Sequence, residues 1–283
     1  LSQADVFLTN FLPERLAKFG LSVDSLRKEF PKLIIGNLTS YGSTGKDSTT
    51  PGYDATVQAR TGIMHLTGEP GGKPVRTGIS VLDMGAGIWL AMGILAAIIK
   101  RNETGEGCLV ETSLYETGVA WVSYHLSAFQ LDHTPTDRTG ASHPTFSPYG
   151  LFTASDGDIC IGVGSDEIFA KLSRAINRPE LITDERFISN ADRVENRSIL
   201  TEELNQAIRS QSAKHWAQVL GGAGVPADLV VPPENLFSDP QQQILEMLIE
   251  IPDDSAKVKL IPGLPLRFDG KRPKVRKSAP HKK

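Results

Sequence analysis

An aspartate at the start of an almost wholly apolar helix constrains this chain more than any other sequence feature. A run without charged side chains follows Asp83, continues from Ile88 to Ile99 and ends at Lys100. Surface helices carry a polar face, so the pattern predicts a buried core helix that is too short to cross a bilayer. Asp83 is then predicted at the N-cap, where free backbone N–H groups and the positive end of the helix dipole hold a carboxylate ionised.

This pattern leaves two roles open for Asp83. Aspartate is a preferred N-cap residue, so one role is a purely structural cap. The other role is that of a nucleophile. The same stretch contains Gly85, Gly87 and Gly93, and a glycine in a helix interior costs about 1 kcal/mol. These glycines therefore indicate close backbone packing or the close approach of a ligand.

Composition excludes several function classes. Ordinary hydrophobic (40%) and charged (22%) fractions and a formal net charge of −3 are typical of a soluble globular protein, and they do not favour a nucleic-acid partner. Two cysteines and six histidines show no disulfide framework and no H-x-x-x-H pair, so no metal site is predicted. The sequence shows no secretory signal, and the expected location is the cytoplasm, with no membrane partner.

Alternating helix and strand signals predict an α/β fold. A buried strand over 33–39 lies between helical patterns, which favours a Rossmann-like parallel sheet. We predict a large domain over 1–131 and a linker or active-site loop over 132–148. A smaller α+β domain over 149–265 and a basic C-terminal segment over 266–283 complete the prediction.

Several motifs together resemble the class III coenzyme A transferases, which include formyl-CoA, carnitine-CoA and dicarboxylate-CoA transferases. The motifs are Gly52-Tyr53-Asp54, Gln58-Ala59-Arg60-Thr61-Gly62, His65-Leu66-Thr67-Gly68-Glu69, Asp83-Met84-Gly85-Ala86-Gly87 and the segment 96–107. The resemblance covers most of the chain. Compared with the family, the sequence is expected to lack an N-terminal strand–helix unit and the C-terminal return to the large domain.

The resemblance implies roles for individual residues. Asp83 falls on the catalytic aspartate of the family, and Tyr53 falls on an active-site tyrosine. Asn10, Lys18 and Phe19 fall on the segment that lines the CoA nucleotide, where Lys18 would face a phosphate.

The resemblance also implies an activity, which is the transfer of CoA between an acyl-CoA and a free carboxylic acid. The reaction would pass through a covalent intermediate on Asp83, with acyl-CoA as a substrate and no permanently bound cofactor. Backbone N–H groups near Gly85 would stabilise the developing negative charge, and Tyr53 would donate a hydrogen bond to an acyl oxygen. The segment 134–150, including His143, would form the mobile loop over the active site. Family members form interlocked homodimers, so a homodimer is expected.

Two alternatives remain. The α-methylacyl-CoA racemases resemble the same sequence, but they place a histidine base directly before the aspartate that corresponds to Asp54. Here Tyr53 occupies that position, and proton exchange at an α-carbon needs a second base. The other alternative is a catalytically inactive CoA-binding fragment.

Overall fold

The structure, a computed structural model, describes residues 1–251 and 258–274 of the chain. It divides into two compact units. Unit 1 comprises Leu1–Leu151, Val163–Asp166 and Glu185–Arg197, and unit 2 comprises the described residues of Phe152–Gly162, Glu167–Asp184 and Ser198–Lys283. The predicted domain bounds stay a prediction, because compactness does not test independent folding. Part of the predicted basic segment, 275–283, lies outside the described residues.

Helices and strands alternate along the first half of the chain. The strands are β1 (Val6–Thr9), β2 (Ile34–Thr39), β3 (Leu109–Ser113), β4 (Tyr149–Thr153), β5 (Asp158–Gly162), β6 (Ala227–Leu229), β7 (Leu248–Glu250) and β8 (Leu260–Pro262). The α-helices are α1 (Pro13–Lys18), α2 (Val23–Glu29), α3 (Asp54–Arg60), α4 (Ile63–Leu66), α5 (Val81–Thr104), α6 (Leu114–Trp121), α7 (Ser123–Asp132), α8 (Asp166–Ala175), α9 (Asn190–Glu195), α10 (Arg197–Ile208), α11 (Ala213–Gly222) and α12 (Pro240–Leu245).

A parallel sheet forms the centre of unit 1. Its strands lie in the order β1-β2-β3, and both pairs are parallel, with Thr9 opposite Asn37 and Thr39 opposite Ser113. Helices connect the strands, as parallel pairing requires. The predicted α/β fold with a Rossmann-like parallel sheet is therefore confirmed.

Local sequence signals explain where several of these helices begin and end. Pro13 opens α1, where its missing N–H is not needed. The Ser22 hydroxyl accepts a hydrogen bond from the Ser25 N–H at the start of α2. Gly105 adopts a left-handed conformation (φ 75°) directly after α5, a conformation that glycine takes without a steric penalty.

Two apolar clusters lie in the core of unit 1. One joins the start of α5 to α3 and α6, through Leu82, Ala86, Val57 and Leu114. Two of the three glycines singled out in the sequence allow α5 to pack closely, because a Cβ on Gly85 would overlap the Trp121 ring and one on Gly93 would lie 2.6 Å from Val110 Cγ1. The second cluster packs α2 near β2 through Leu26, Leu33 and Ile35.

The prediction that the apolar helix is buried on all sides is wrong. One side of α5 packs in the core, but a second side exposes large apolar residues at helical spacing. We call this second side the α5 stripe, and its members are Met84, Ile88, Met92, Leu95 and Ile99. No described element of the chain covers this stripe. The periodicity of the sequence could not reveal this exposed side. An apolar helix side has the same residue spacing whether it faces solvent or a core.

The length predicted for this helix is also wrong. The helix runs for 24 residues, because it begins at Val81, before Asp83, and continues past Ile99 to Thr104. By length and composition, α5 is the described helix that could span a membrane. A single helix of this kind is weak support for a membrane span, since core helices of globular proteins share the same properties.

Unit 2 is built from antiparallel strands and amphipathic helices. A sheet in the order β4-β5-β6 contains an antiparallel β5–β6 pair, and β7 pairs antiparallel with β8. Its core contains Phe169, Leu172, Leu204 and Ile208, all buried. The indole N–H of Trp216 donates to the Ile208 carbonyl at 2.6 Å, which satisfies the polar atom of a buried aromatic ring.

Candidate active site

A cleft of about 420 Å³ opens where the parallel strands of unit 1 end. Ligands of open parallel sheets bind at this edge, outside the carboxyl ends of the strands. Residues at or directly after the ends of the three strands line it, as do residues at the starts of α3 and α5. The lining residues are Asn10, Phe11, Leu12, Leu38, Thr39, Ser40, Gly52, Tyr53, Asp83 and Leu114.

Three of the five site residues predicted from sequence lie together in this cleft. They are Asp83, Tyr53 and Asn10. Lys18 and Phe19, at the end of α1, are exposed and lie outside the lining. Their predicted contact with the CoA nucleotide stays a prediction.

Asp83 does not cap α5, contrary to the sequence prediction. The N-cap is Ser80, whose side chain makes no capping hydrogen bond, and Asp83 is the third residue of the helix. Its side chain is open to the cleft. The carboxyl pKa is raised by desolvation from the surrounding atoms and, second, by the nearby charge of Asp54. Both effects oppose the ionised form, so the helix terminus is not the only influence on the Asp83 carboxyl group.

The cap of α5 comes instead from Asp54 in α3, a residue that sequence reasoning named in a motif but did not connect with α5. Asp54 Oδ2 accepts hydrogen bonds from the Leu82 N–H at 2.8 Å and the Asp83 N–H at 3.3 Å. A side chain distant in sequence thus satisfies two of the N–H groups that a helix start leaves unpaired. The sequence signal that pointed to Asp54 was its position next to Tyr53. Only the tertiary contacts show that its partner is the first turn of α5.

The N–H groups at the start of α5 are not free to bind a substrate oxygen. Besides the two groups held by Asp54, the Val81 N–H donates to Ile79 O and the Met84 N–H donates to Ser80 O. Gly85 lies one residue further, inside the helix, and is buried against Trp121. The expected oxyanion site near Gly85 is therefore wrong for this conformation, because the N–H groups of the first turn already have acceptors.

Tyr53 lies at the N-cap of α3, directly before Asp54. Its backbone N–H donates to Thr56 Oγ1 at 3.0 Å, which fixes the start of the helix. The Tyr53 side chain is 83% exposed and lines the cleft. A phenol in this position can donate a hydrogen bond to a bound molecule.

The relatives of this sequence show its family. The model of the CoA-transferase family III matches residues 1–282. This chain belongs to that family. It is 30% identical over 264 residues to a human succinyl-CoA:glutarate CoA-transferase, covering 93% of this chain and 60% of that protein. It is 34% identical over 269 residues to an acetyl-CoA:oxalate CoA-transferase of Acetobacter aceti, covering 95% and 68%.

Solved structures share the fold of this chain. A CAIB/BAIF family protein from Brucella suis aligns with a TM-score of 0.78 at 31% identity, covering 97% of this chain and 73% of that one. The protein Rv3272 from Mycobacterium tuberculosis aligns with a TM-score of 0.84 at 29% identity, covering 97% and 71%. The chain spans about three fifths of the length of the human relative.

The segment 134–150, which the family resemblance places over the active site, contributes to the lining of a different cavity. His143, Thr139 and Tyr149 line a cavity of about 350 Å³ together with His125 of α7. Burial lowers the pKa of His125, and nearby His143 lowers it further. The role of the loop as a cover for Asp83 stays a prediction.

Metal-binding clusters are absent from the described part of this family III chain. No group of three or more His, Cys, Asp or Glu side chains there could hold a metal ion. The cleft itself offers a carboxylate, a phenol, an amide and two hydroxyls, from Asp83, Tyr53, Asn10, Thr39 and Ser40. This set suits the recognition of an acyl group and covalent chemistry at the carboxylate.

Proposed function

We propose that this chain is a CoA transferase that moves coenzyme A from an acyl-CoA to a free carboxylic acid through a covalent intermediate on Asp83. The observation that carries the proposal is the meeting of Asp83, Tyr53 and Asn10 in one cleft at the carboxyl ends of the sheet. Membership of CoA-transferase family III supports it. A cytoplasmic location belongs to the same proposal.

The first half of the proposed reaction loads CoA onto the protein. A carboxylate oxygen of Asp83 attacks the thioester carbonyl, the C–S bond breaks, and CoA leaves as a thiolate. The product is a mixed anhydride between Asp83 and the donor acid. The thiolate then attacks the aspartyl carbonyl, which releases the donor carboxylate and leaves a thioester between Asp83 and CoA.

The second half passes CoA to the acceptor. The acceptor carboxylate attacks the aspartyl thioester carbonyl, which forms a second mixed anhydride and releases the CoA thiolate. Attack of this thiolate on the acceptor acyl carbon gives the new acyl-CoA and restores the Asp83 carboxylate. No net proton, electron or water is consumed.

The environment of Asp83 suits a nucleophile. Its side chain opens into the cleft, where a thioester can reach it. Desolvation and the neighbouring Asp54 raise its pKa, and a more basic carboxylate is the stronger nucleophile once ionised. Tyr53, beside it, would donate a hydrogen bond to the acyl oxygen on which negative charge develops.

Small dicarboxylic acids are the proposed acceptor class. The human relative carries the name succinyl-CoA:glutarate CoA-transferase, and the Acetobacter aceti relative carries the name acetyl-CoA:oxalate CoA-transferase. We use succinyl-CoA as the first donor to test, because several relatives carry that compound in their names.

The racemase alternative finds less support in the cleft. Proton exchange at an α-carbon needs one base on each face of the substrate. Among the described lining residues the cleft contains one carboxylate, that of Asp83, and no histidine. The phenol of Tyr53 stands where the resembling racemases carry a histidine base.

Mass spectrometry of the intact protein and its peptides, after incubation with succinyl-CoA, tests the proposal. We expect an acyl or CoA adduct on the peptide that contains Asp83, and hydroxylamine or borohydride should trap it. The same incubation with free CoA is the control and should leave the peptide unmodified. Protein that binds CoA but never gains the adduct would contradict the covalent mechanism.

We also propose that the chain functions as a homodimer. The α5 stripe leaves five large apolar side chains exposed along one helix side. Contiguous exposed apolar surface of this kind marks interaction sites. Whether the dimer is interlocked, as the resemblance implies, belongs to the same proposal.

A Leu95→Glu variant tests the dimer. Leu95 is 63% exposed in the middle of the α5 stripe, so a carboxylate there would be buried unpaired in an interface but would be tolerated in a monomer. Light scattering after size exclusion should show wild-type dimers and mostly monomers of the variant. Gln218→Glu, an exposed helix position in unit 2, is the matched control and should stay dimeric. A wild-type mass of 30.7 kDa would contradict the proposal.

A further inference from the structure

A buried polar network lies behind the nucleophile, and the proposed reaction steps do not use it. Asp54 is 5% exposed and Gln58 is fully buried, one helical turn apart in α3. Buried carboxylates and amides are rare unless hydrogen bonds satisfy them. The hydrogen-bond partners of Asp54 and Gln58 show which parts of the fold this pair connects.

The network connects α3 to the first turn of α5 and to the segment before it. Gln58 Nε2 donates to Asp54 Oδ1 at 2.5 Å and to Thr77 Oγ1 at 3.0 Å, and Gln58 Oε1 accepts from the Thr77 N–H at 3.0 Å. Asp54 Oδ2 accepts from the N–H groups of Leu82 and Asp83. One buried unit therefore fixes both the approach to α5 and its first turn.

The hydrogen bonds fix the orientation of the Asp54 and Gln58 side chains. Both oxygens of Asp54 have donors, and both ends of the Gln58 amide have partners in Asp54 and Thr77. The carboxylate also faces the positive end of α5, where negative charge is favoured. A satisfied buried network of this kind rigidifies its surroundings.

We propose that Asp54 and Gln58 are positioning residues that lock the first turn of α5 and thereby hold the Asp83 carboxylate in its reactive direction within the cleft. This inference rests on the proposed function. A bond to the backbone of the nucleophile itself, the Asp83 N–H, is the contact that makes the network relevant to chemistry. Small displacements of a reacting group reduce rates strongly.

Asp54 has a second, electrostatic effect on Asp83. Its charge raises the Asp83 pKa, in addition to the larger effect of desolvation. The phenol of Tyr53 is the other titratable group in the cleft lining. Along α5 itself, the next charged side chain after Asp83 is Lys100, more than four helical turns away.

Two variants separate the positional effect from the electrostatic one. Asp54→Asn keeps the shape and one acceptor oxygen but removes the charge. Gln58→Met keeps the charge of Asp54 but removes the amide that orients it. The measurement is the single-turnover rate of adduct formation on Asp83 with succinyl-CoA, followed by mass spectrometry as a function of pH.

We expect both variants to form the adduct between about tenfold and 100-fold more slowly than the wild type. Only the ionised Asp83 attacks, so the rate falls as pH drops through its raised pKa. Without the Asp54 charge that pKa is lower, so the acid limb of the Asp54→Asn profile should move to lower pH. The acid limb of the Gln58→Met profile should stay at the same pH as that of the wild type. Asp24→Asn, an exposed first-turn aspartate of α2, is the matched control and should match the wild type.

Three results overturn the inference. Unchanged rates in both variants would show that the network does not position Asp83. Slower rates with an unmoved acid limb in Asp54→Asn would show a merely structural role. If the wild type forms no adduct, the proposed function fails, and the inference fails with it. Circular dichroism melting checks folding, and Gln58→Met carries the positional test if Asp54→Asn does not fold.

Discussion

An Asp83→Ala variant should lose CoA transfer by more than about 1000-fold, because removal of a covalent nucleophile leaves only binding and orientation. Its affinity for CoA should stay close to that of the wild type, because the other lining residues of the cleft remain in place. Steady-state transfer from succinyl-CoA to a dicarboxylic acid measures the first quantity, and calorimetric titration with CoA measures the second.

The matched control for this variant is Asp47→Ala. Asp47 forms an ion pair with Arg60 in the same unit and does not line the cleft. Its replacement should leave transfer within about twofold of wild type, because exposed ion pairs contribute little. Transfer by Asp83→Ala at more than one tenth of the wild-type rate would remove the covalent mechanism.

An Arg193→Met variant should destabilise unit 1 by about 3 kcal/mol. Arg193 is fully buried, and its guanidinium donates to the carbonyls of Ser147 (2.8 Å) and Phe187 (3.0 Å) and to Asp166 (2.6 Å). Methionine fills a similar volume but leaves those buried carbonyl acceptors without a donor. Thermal unfolding followed by circular dichroism should show a midpoint lower by roughly 6 to 12 °C.

Arg27→Met provides the comparison for this stability prediction. Arg27 lies exposed on α2, so its loss should move the unfolding midpoint by no more than about 2 °C. An equal shift in both variants would indicate that loss of net charge, rather than loss of the buried hydrogen bonds, lowers stability.

Local structure in unit 1 followed closely from short sequence patterns. Pro13 and Ser22 stand at the starts of α1 and α2 and Gly20 follows the end of α1, because N-terminal proline, hydroxyl caps and C-terminal glycine act through bonds within a few residues. The strand predicted over 33–39 appears as β2, since an unbroken apolar run bounded by turn signals suits a buried parallel strand. These signals are local, and so a single sequence carries them.

The surroundings of α5 could not be predicted in the same way. Its composition correctly indicated a helix, but whether an apolar side meets a core or solvent depends on which elements fold beside it. Leu90 is 8% exposed and Leu95 is 63% exposed within the same helix. No property of the two leucines in the sequence distinguishes them.

The candidate site likewise has features that the sequence predicted and features that only the structure shows. Resemblance of short motifs placed Asp83, Tyr53 and Asn10 together, and the structure brings them into one cleft. Their convergence follows from topology, because the carboxyl ends of parallel strands share one edge of a sheet. The cap on α5 was assigned to Asp83 itself, although the carboxylate that fills this role is that of Asp54, 5% exposed and in another helix.

The sequence by itself determined the α/β class, the buried strand over 33–39 and the family, because these depend on periodicity, local turn signals and motif identity. Tertiary structure alone decided that the Leu82 and Asp83 N–H groups belong to Asp54, that Gln58 orients that carboxylate and that desolvation and charge raise the Asp83 pKa. The physical reason is distance along the chain. Hydrogen bonds and electrostatic interactions between α3 and α5 join residues almost 30 positions apart, and only the folded chain brings them together.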